Sequence, residues 1–144
     1  MDTITIDTIV EKEGSQVWRY WTEPEHIQQW NHASDDWECP HAENNLIVGG
    51  SFLARMSAKD GSVGFDFGGV YTDVIPLTKI AYTIGDGRQV VVSFEVLGEN
   101  RTRVVETFDP ETENSPERQR EGWQSILDNF KQYAEAQNES QNLY

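Results

Sequence analysis

The chain has 144 residues, with 25 acidic side chains against 11 basic ones and a formal net charge of -14. This length suits one domain able to bury about two-thirds of its unfolded surface, and a field of this sign repels phosphate backbones and anionic lipid surfaces, so neither nucleic acid nor a membrane surface is an expected partner. The single cysteine, Cys39, has no internal partner, the start Met1-Asp2-Thr3-Ile4 shows no signal-like pattern, and no stretch approaches the length of a membrane span, so a reducing, cytoplasmic setting is expected.

The first element is an alternating strand from Thr3 to Glu11, with Ile4, Ile6, Thr8 and Val10 on one face. Gly14-Ser15 breaks it, and Ser15 is placed to N-cap a short helix carrying Val17, Trp18 and Trp21. A second short helix starts at Thr22-Glu23-Pro24-Glu25, where threonine and glutamate have capping-box spacing and proline suits a first turn. Ile27 and Trp30 share one face of it. From Asn31 to Asn45 the sequence reads as an irregular connection, of a length that is usually functional or mobile.

Five more strands follow: Leu46 to Ser57, Ser62 to Ile75, Lys79 to Ile84, Gln89 to Leu97 and Thr102 to Asp109. Gly49-Gly50 and Gly68-Gly69 interrupt the first two and are expected to mark bends or bulges. Gly85-Asp86-Gly87 and Gly98-Glu99-Asn100-Arg101 are short turns, which make the flanking strands antiparallel neighbours. The last element is a long helix: Ser115 is its N-cap, Pro116 its first residue, and Trp123, Ile126, Leu127, Phe130 and Tyr133 form one apolar stripe. It ends near Gln137. Gly122 interrupts it, through either a close backbone approach or simple tolerance. The expectation is one α+β domain over residues 1–137 and a polar, frayed tail at 138–144. Its six-stranded antiparallel sheet must curl around the long helix to bury both apolar faces.

Three segments in this order resemble a known family. The run Val17-Trp18 … Thr22-Glu23-Pro24-Glu25 … Trp30 resembles the opening of the START-like (SRPBCC) superfamily, and in particular the branch homologous to activators of the heat-shock-protein-90 ATPase. Gly49-Gly50-Ser51-Phe52 is similar to that branch's G-G-x-F strand, and Gly122-Trp123 … Leu127 … Phe130 to its closing helix. The resemblance implies a helix-grip (START/Bet v-like) fold. It also implies a cavity between sheet and helix for a small hydrophobic or aromatic molecule, lipid or polyketide-like. The same superfamily leaves open a cyclase- or hydrolase-like enzyme and a chaperone ATPase co-factor.

Aromatic residues are numerous, and those expected near the cavity are Trp30, Trp37, Phe65, Phe67, Tyr71, Tyr82, Phe94, Phe108 and Trp123, with Leu127. As core residues they would fill the space, and as lining they would surround a ligand. Polar candidates are His32, Arg55, Tyr71, Tyr82 and Asp66, with an Arg55–Asp66 salt bridge as the simpler reading of that pair. His26 is expected to be merely exposed on the second helix. The segment His32 to His41 offers two imidazoles, a thiol and three carboxylates, but in no standard zinc spacing, so no metal is expected. A His/Asp pair such as His32 with Asp35 or Asp36 has the groups needed for base catalysis. No nucleophile elbow or phosphate loop appears, and no cofactor is called for.

Overall fold

Alternating apolar residues build one antiparallel sheet, and the computed structural model describes residues 2–137 of the chain. The expected tail at 138–144 lies outside the described residues. The elements are β1 (Ile4–Val10), α1 (Gly14–Thr22), α2 (Pro24–Trp30), β2 (Trp37–Asn44), β3 (Ser51–Ala58), β4 (Gly64–Ile75), β5 (Lys79–Ile84), β6 (Gln89–Gly98), β7 (Arg101–Phe108) and α3 (Pro116–Ala136). The strands run in the order β1-β7-β6-β5-β4-β3-β2. Among the described residues there are therefore seven strands, not six.

The additional strand is β2, inside the stretch expected to be irregular. It lies at the end of the sheet, pairs only with β3, and slips register between Glu38 and His41. An edge position explains why the sequence hides it. Pro40 is tolerated there, and only Cys39 and Ala42 face inward, so no full alternation is written.

Both short helices start one or two residues from their expected caps. Pro24 forces the residue before it into an extended conformation, so Glu23 (φ -82, ψ 128) takes the N-cap of α2. Thr22 instead closes α1 and donates its hydroxyl to the Trp18 carbonyl at 2.8 Å. Likewise Glu13 precedes α1, and Ser15 donates to its carboxylate at 2.6 Å. The cap of α3 is as expected: the Ser115 side chain accepts from the Arg118 amide, and Pro116 follows.

The paired glycines act by close approach. A Cβ on Gly68 would lie 2.7 Å from the Phe52 carbonyl, and one on Gly69 would lie 2.5 Å from that of Thr83. Pairing with β3 runs unbroken through both, and the irregularity of β4 falls later, between Tyr71 and Asp73. Gly49 and Gly50 belong to the β2–β3 connection, where Gly49 has φ 85.

The main core lies between α3 and the β1-β7-β6-β5 part of the sheet. Val10, Val17, Tyr20, Val92, Val104, Leu127 and Phe130 are fully buried there. A smaller cluster of Cys39, Ala42, Ala54 and Met56 lies under β2 and β3. Leu127, Phe130 and Ala134 anchor the C-terminal half of α3. The N-terminal half is held by Arg120 and Gln124, which donate to the Thr5 and Asp7 carbonyls of β1, and by Trp123 against Phe108, with its other side bordering open space.

Candidate functional site

Beside the N-terminal half of α3, a cavity of about 410 Å³ opens between the helix and the sheet. Trp21 and Trp30 close its base, packed 4.9 Å apart and each 4.9 Å from Phe130. The Trp30 indole is fixed by donating to the Tyr20 carbonyl at 2.8 Å. Met56, Phe65, Phe67 and Tyr82 line the sheet side, while Gly122, Trp123 and Ile126 line the helix side. Nothing lies within 4 Å of a Cβ placed on Gly122, so this glycine leaves space beside the cavity and makes no close backbone contact.

The rim is polar. Arg88 pairs with Asp86 at 2.8 Å, and Arg118 lies across from it on α3. Gln119 staples the loop before α3: its carbonyl accepts from the Glu111 amide at 2.8 Å, and its amide donates to the Glu111 and Asn114 carbonyls. Glu111 in turn accepts from the backbone and side chain of Asn114.

Inside this apolar space lies one carboxyl group. Glu106 points inward from β7, is only 6 % exposed, and has no hydrogen-bond or ion-pair partner among the described residues. Burial alone pushes its pKa up to about 8, so the group is largely neutral at pH 7. Tyr82, two strands away, also lines the cavity without a hydrogen-bond partner among the described residues. Burial first, then Glu106 and Tyr71, hold its hydroxyl well above the ordinary range.

A second cavity of about 70 Å³ adjoins the first, and Trp21, Trp30, Phe67 and Tyr82 line both. Tyr71 belongs to this smaller space; it donates to the Asn44 side-chain oxygen at 2.5 Å, and Asn44 donates to the Thr22 carbonyl. At the opposite end of the sheet, Glu13, Leu77, Val96 and Asn100 border a more open groove of about 620 Å³ that lacks aromatic walls.

Family profiles and solved structures agree with this architecture. The profile described as "Activator of Hsp90 ATPase homolog 1-like protein" matches residues 13–135. The chain belongs to this family, within the SRPBCC superfamily. It is similar to the solution structure of an AHSA1-like protein from Aeromonas hydrophila, at 46 % identity over 94 % of this chain and 93 % of that one, with a TM-score of 0.88. A protein from Cytophaga hutchinsonii is also 46 % identical, over 99 % of this chain and 96 % of that one, with a TM-score of 0.80. A protein from Chromobacterium violaceum shares the fold at 20 % identity, over 95 % of this chain and 100 % of that one, with a TM-score of 0.82. Among curated proteins, none matches.

On this family fold, the candidate residues of the sequence fall in several places. Trp30, Phe65, Phe67, Tyr82 and Trp123 meet around the larger cavity, and Tyr71 borders the smaller one. Phe94 packs edge-on against Trp18 and Trp21, Phe108 stacks on Trp123 at 3.9 Å, and Leu127 is fully buried; these three are core residues behind the lining. Trp37 packs against Phe65 on the sheet edge. Arg55 and Asp66 form an exposed ion pair at 3.2 Å, as the simpler reading has it.

His32 is held elsewhere. The Asn129 amide donates to its Nε2 at 2.9 Å and to the Trp30 carbonyl at 3.0 Å, which ties the end of α2 to α3. Burial, helped by Lys59 and opposed by Asp35, lowers the pKa of this imidazole and favours its neutral form. The Asp36 carboxylate accepts from the Ser34 hydroxyl in the exposed turn before β2. His26 is not merely exposed: its Nδ1 shares a 2.5 Å hydrogen bond with the Tyr133 hydroxyl, and its ring stands edge-on to Tyr20. Among the described residues, Glu23, Glu25 and His26 are the one group with ligand atoms close enough for a metal ion, within 4.8 Å of one another. The His32 to His41 segment assembles no such group among the described residues.

Sequence reading missed Glu106 and the Gln119 staple. The signal for Glu106 was present: Thr102, Val104, Glu106 and Phe108 alternate on the inward face of β7, which places an acid in a core position.

Proposed function

We propose that the protein binds a small hydrophobic or aromatic molecule in the cavity beneath the N-terminal half of α3. The observation that supports this most is a space of about 410 Å³ walled mainly by aromatic and aliphatic side chains between α3 and the sheet. Such volume falls in the range of small-molecule sites, as does a lining of aromatic and aliphatic groups with few polar ones. The named lining residues are Trp30, Phe65, Phe67, Tyr82 and Trp123, with Trp21, Met56, Gly122 and Ile126.

A cytoplasmic setting fits this reading: Cys39 is free and buried, and burial pushes its thiol pKa up, away from the reactive thiolate. No helix among the described residues is long and apolar enough to cross a membrane.

Thermal unfolding tests the proposal. A naphthalene-sized aromatic that binds the native state raises Tm in proportion to the logarithm of its concentration. Gly122→Leu, which projects a side chain into the open space beside the cavity, abolishes that rise while leaving the unliganded fold intact. An equal rise in both proteins would place binding elsewhere.

A further inference from the structure

Inside its polar rim the cavity wall is apolar except for two groups, one on β7 and one on β5. Glu106 and Tyr82 both line the space, both are buried, and neither has a hydrogen-bond partner among the described residues. A buried polar group without a partner costs free energy, so a ligand that supplies one gains more than its contact alone. Two chemistries compete. An organic cation would pair with an ionised carboxylate against the aromatic walls. An acceptor oxygen would take a hydrogen bond from the neutral acid.

The surroundings decide between them. The groups sharing the cavity with Glu106 are Tyr82 from β5, Arg88 from the turn after β5, Glu111 from the loop after β7, and Arg118 and Gln119 from α3. The paired neighbours on β1 and β6, Ile6 and Val92, are apolar. No cation is close enough to Glu106 to shift its titration, and burial is its sole cause. Of the two rim guanidiniums, Arg88 is already paired with Asp86 and Glu111 adds a carboxylate, so the rim selects neither sign and the neutral state of Glu106 is what favours an acceptor. A carboxylic acid kept neutral by an apolar site is a strong donor toward a carbonyl or phenolic oxygen, above all beside a tyrosine hydroxyl.

Building on the proposed binding cavity, we infer that Glu106 and Tyr82 form its polar anchor, and that the ligand is an aromatic molecule bearing a carbonyl or phenolic oxygen at its buried end. Glu106 donates the principal hydrogen bond, and Tyr82 is the second donor available to the same ligand.

Three probes of one shape test this: 2-acetylnaphthalene, 2-ethylnaphthalene and 2-(aminomethyl)naphthalene, titrated against the full chain and followed by tryptophan fluorescence. At pH 6 the ketone binds about tenfold more tightly than the hydrocarbon. The neutral form of Glu106 is the donor, so ketone affinity is constant below pH 7 and falls about tenfold, to the level of the hydrocarbon, as the pH rises through about 8. In Glu106→Gln the amide still donates but no longer titrates, so the ketone is retained and its profile is flat. Should that variant fail to fold, the wild-type profile still decides. Equal binding of ketone and hydrocarbon with no pH dependence would overturn the anchor and leave the cavity reading standing. Tightest binding by the amine, rising through pH 8, would replace the acceptor ligand with a cation. Binding by none of the three would overturn both the anchor and the cavity.

Discussion

The two halves of α3 face different interiors. In the C-terminal half, Leu127, Phe130 and Ala134 are fully buried against strands that carry Val10, Val92 and Val104. Over the N-terminal half, Gly122, Trp123 and Ile126 border open space, and the facing strand β4 leaves Phe65 50 % exposed. One helix and one sheet therefore do two jobs. The packed half supplies the stability that lets the other half remain hollow, because a void forfeits dispersion contacts that a packed core makes. Glu106 and Phe108 stand two residues apart on the same face of β7, at the boundary: Phe108 stacks on Trp123, and Glu106 opens into the cavity.

The largest expected effect concerns that boundary. The native Glu106 carboxyl holds its proton up to about pH 8, and the ordinary value is 4.5. Between these values the native state binds more protons than the unfolded one, so stability falls as pH rises through the window. The loss is on the order of 5 kcal/mol. Urea unfolding from pH 5 to pH 9 should show this decline in the wild type and lack it in Glu106→Gln. Parallel curves would mean that the carboxyl is not held neutral.

Phe130→Ala and Phe65→Ala sharpen the contrast between the halves. The first removes a fully buried ring from the contact with Trp21 and Trp30, at a cost of about 3–5 kcal/mol. The second trims a half-exposed ring and costs less than about 1 kcal/mol, while weakening ligand binding. Similar losses at both sites, measured by chemical denaturation, would erase the distinction. Smaller still is Gly122→Ala. A methyl group there meets nothing within 4 Å and removes a helix-interior glycine, so the fold gains up to about 1 kcal/mol. Destabilisation would show that the space above the cavity is already occupied.

What the sequence discloses follows the same division. The packed half is legible because its periodicities are complete: β5 matches its expected bounds, β6 and β7 come within a residue of theirs, and the α3 cap forms at Ser115. The edge strand β2 is hidden because Pro40 and a register slip break its alternation. The rim is hidden for another reason. Gln119 acts through three hydrogen bonds to a loop that only the tertiary fold brings to it. Aromatic residues identify a lining without saying which rings face the space and which stand behind it. Phe67 and Phe108 look alike in sequence, and only their places in the sheet separate a cavity wall from a core stack.

An NMR titration of the ¹⁵N-labelled chain with 2-acetylnaphthalene tests the central claim most directly. The cavity beneath the N-terminal half of α3 predicts shifts at the Trp21, Trp30 and Trp123 indoles and the Gly122 amide, with Leu127 and Ala134 little changed. Shifts concentrated instead at Leu77, Val96 and Asn100, around the more open groove at the far end of the sheet, would contradict it.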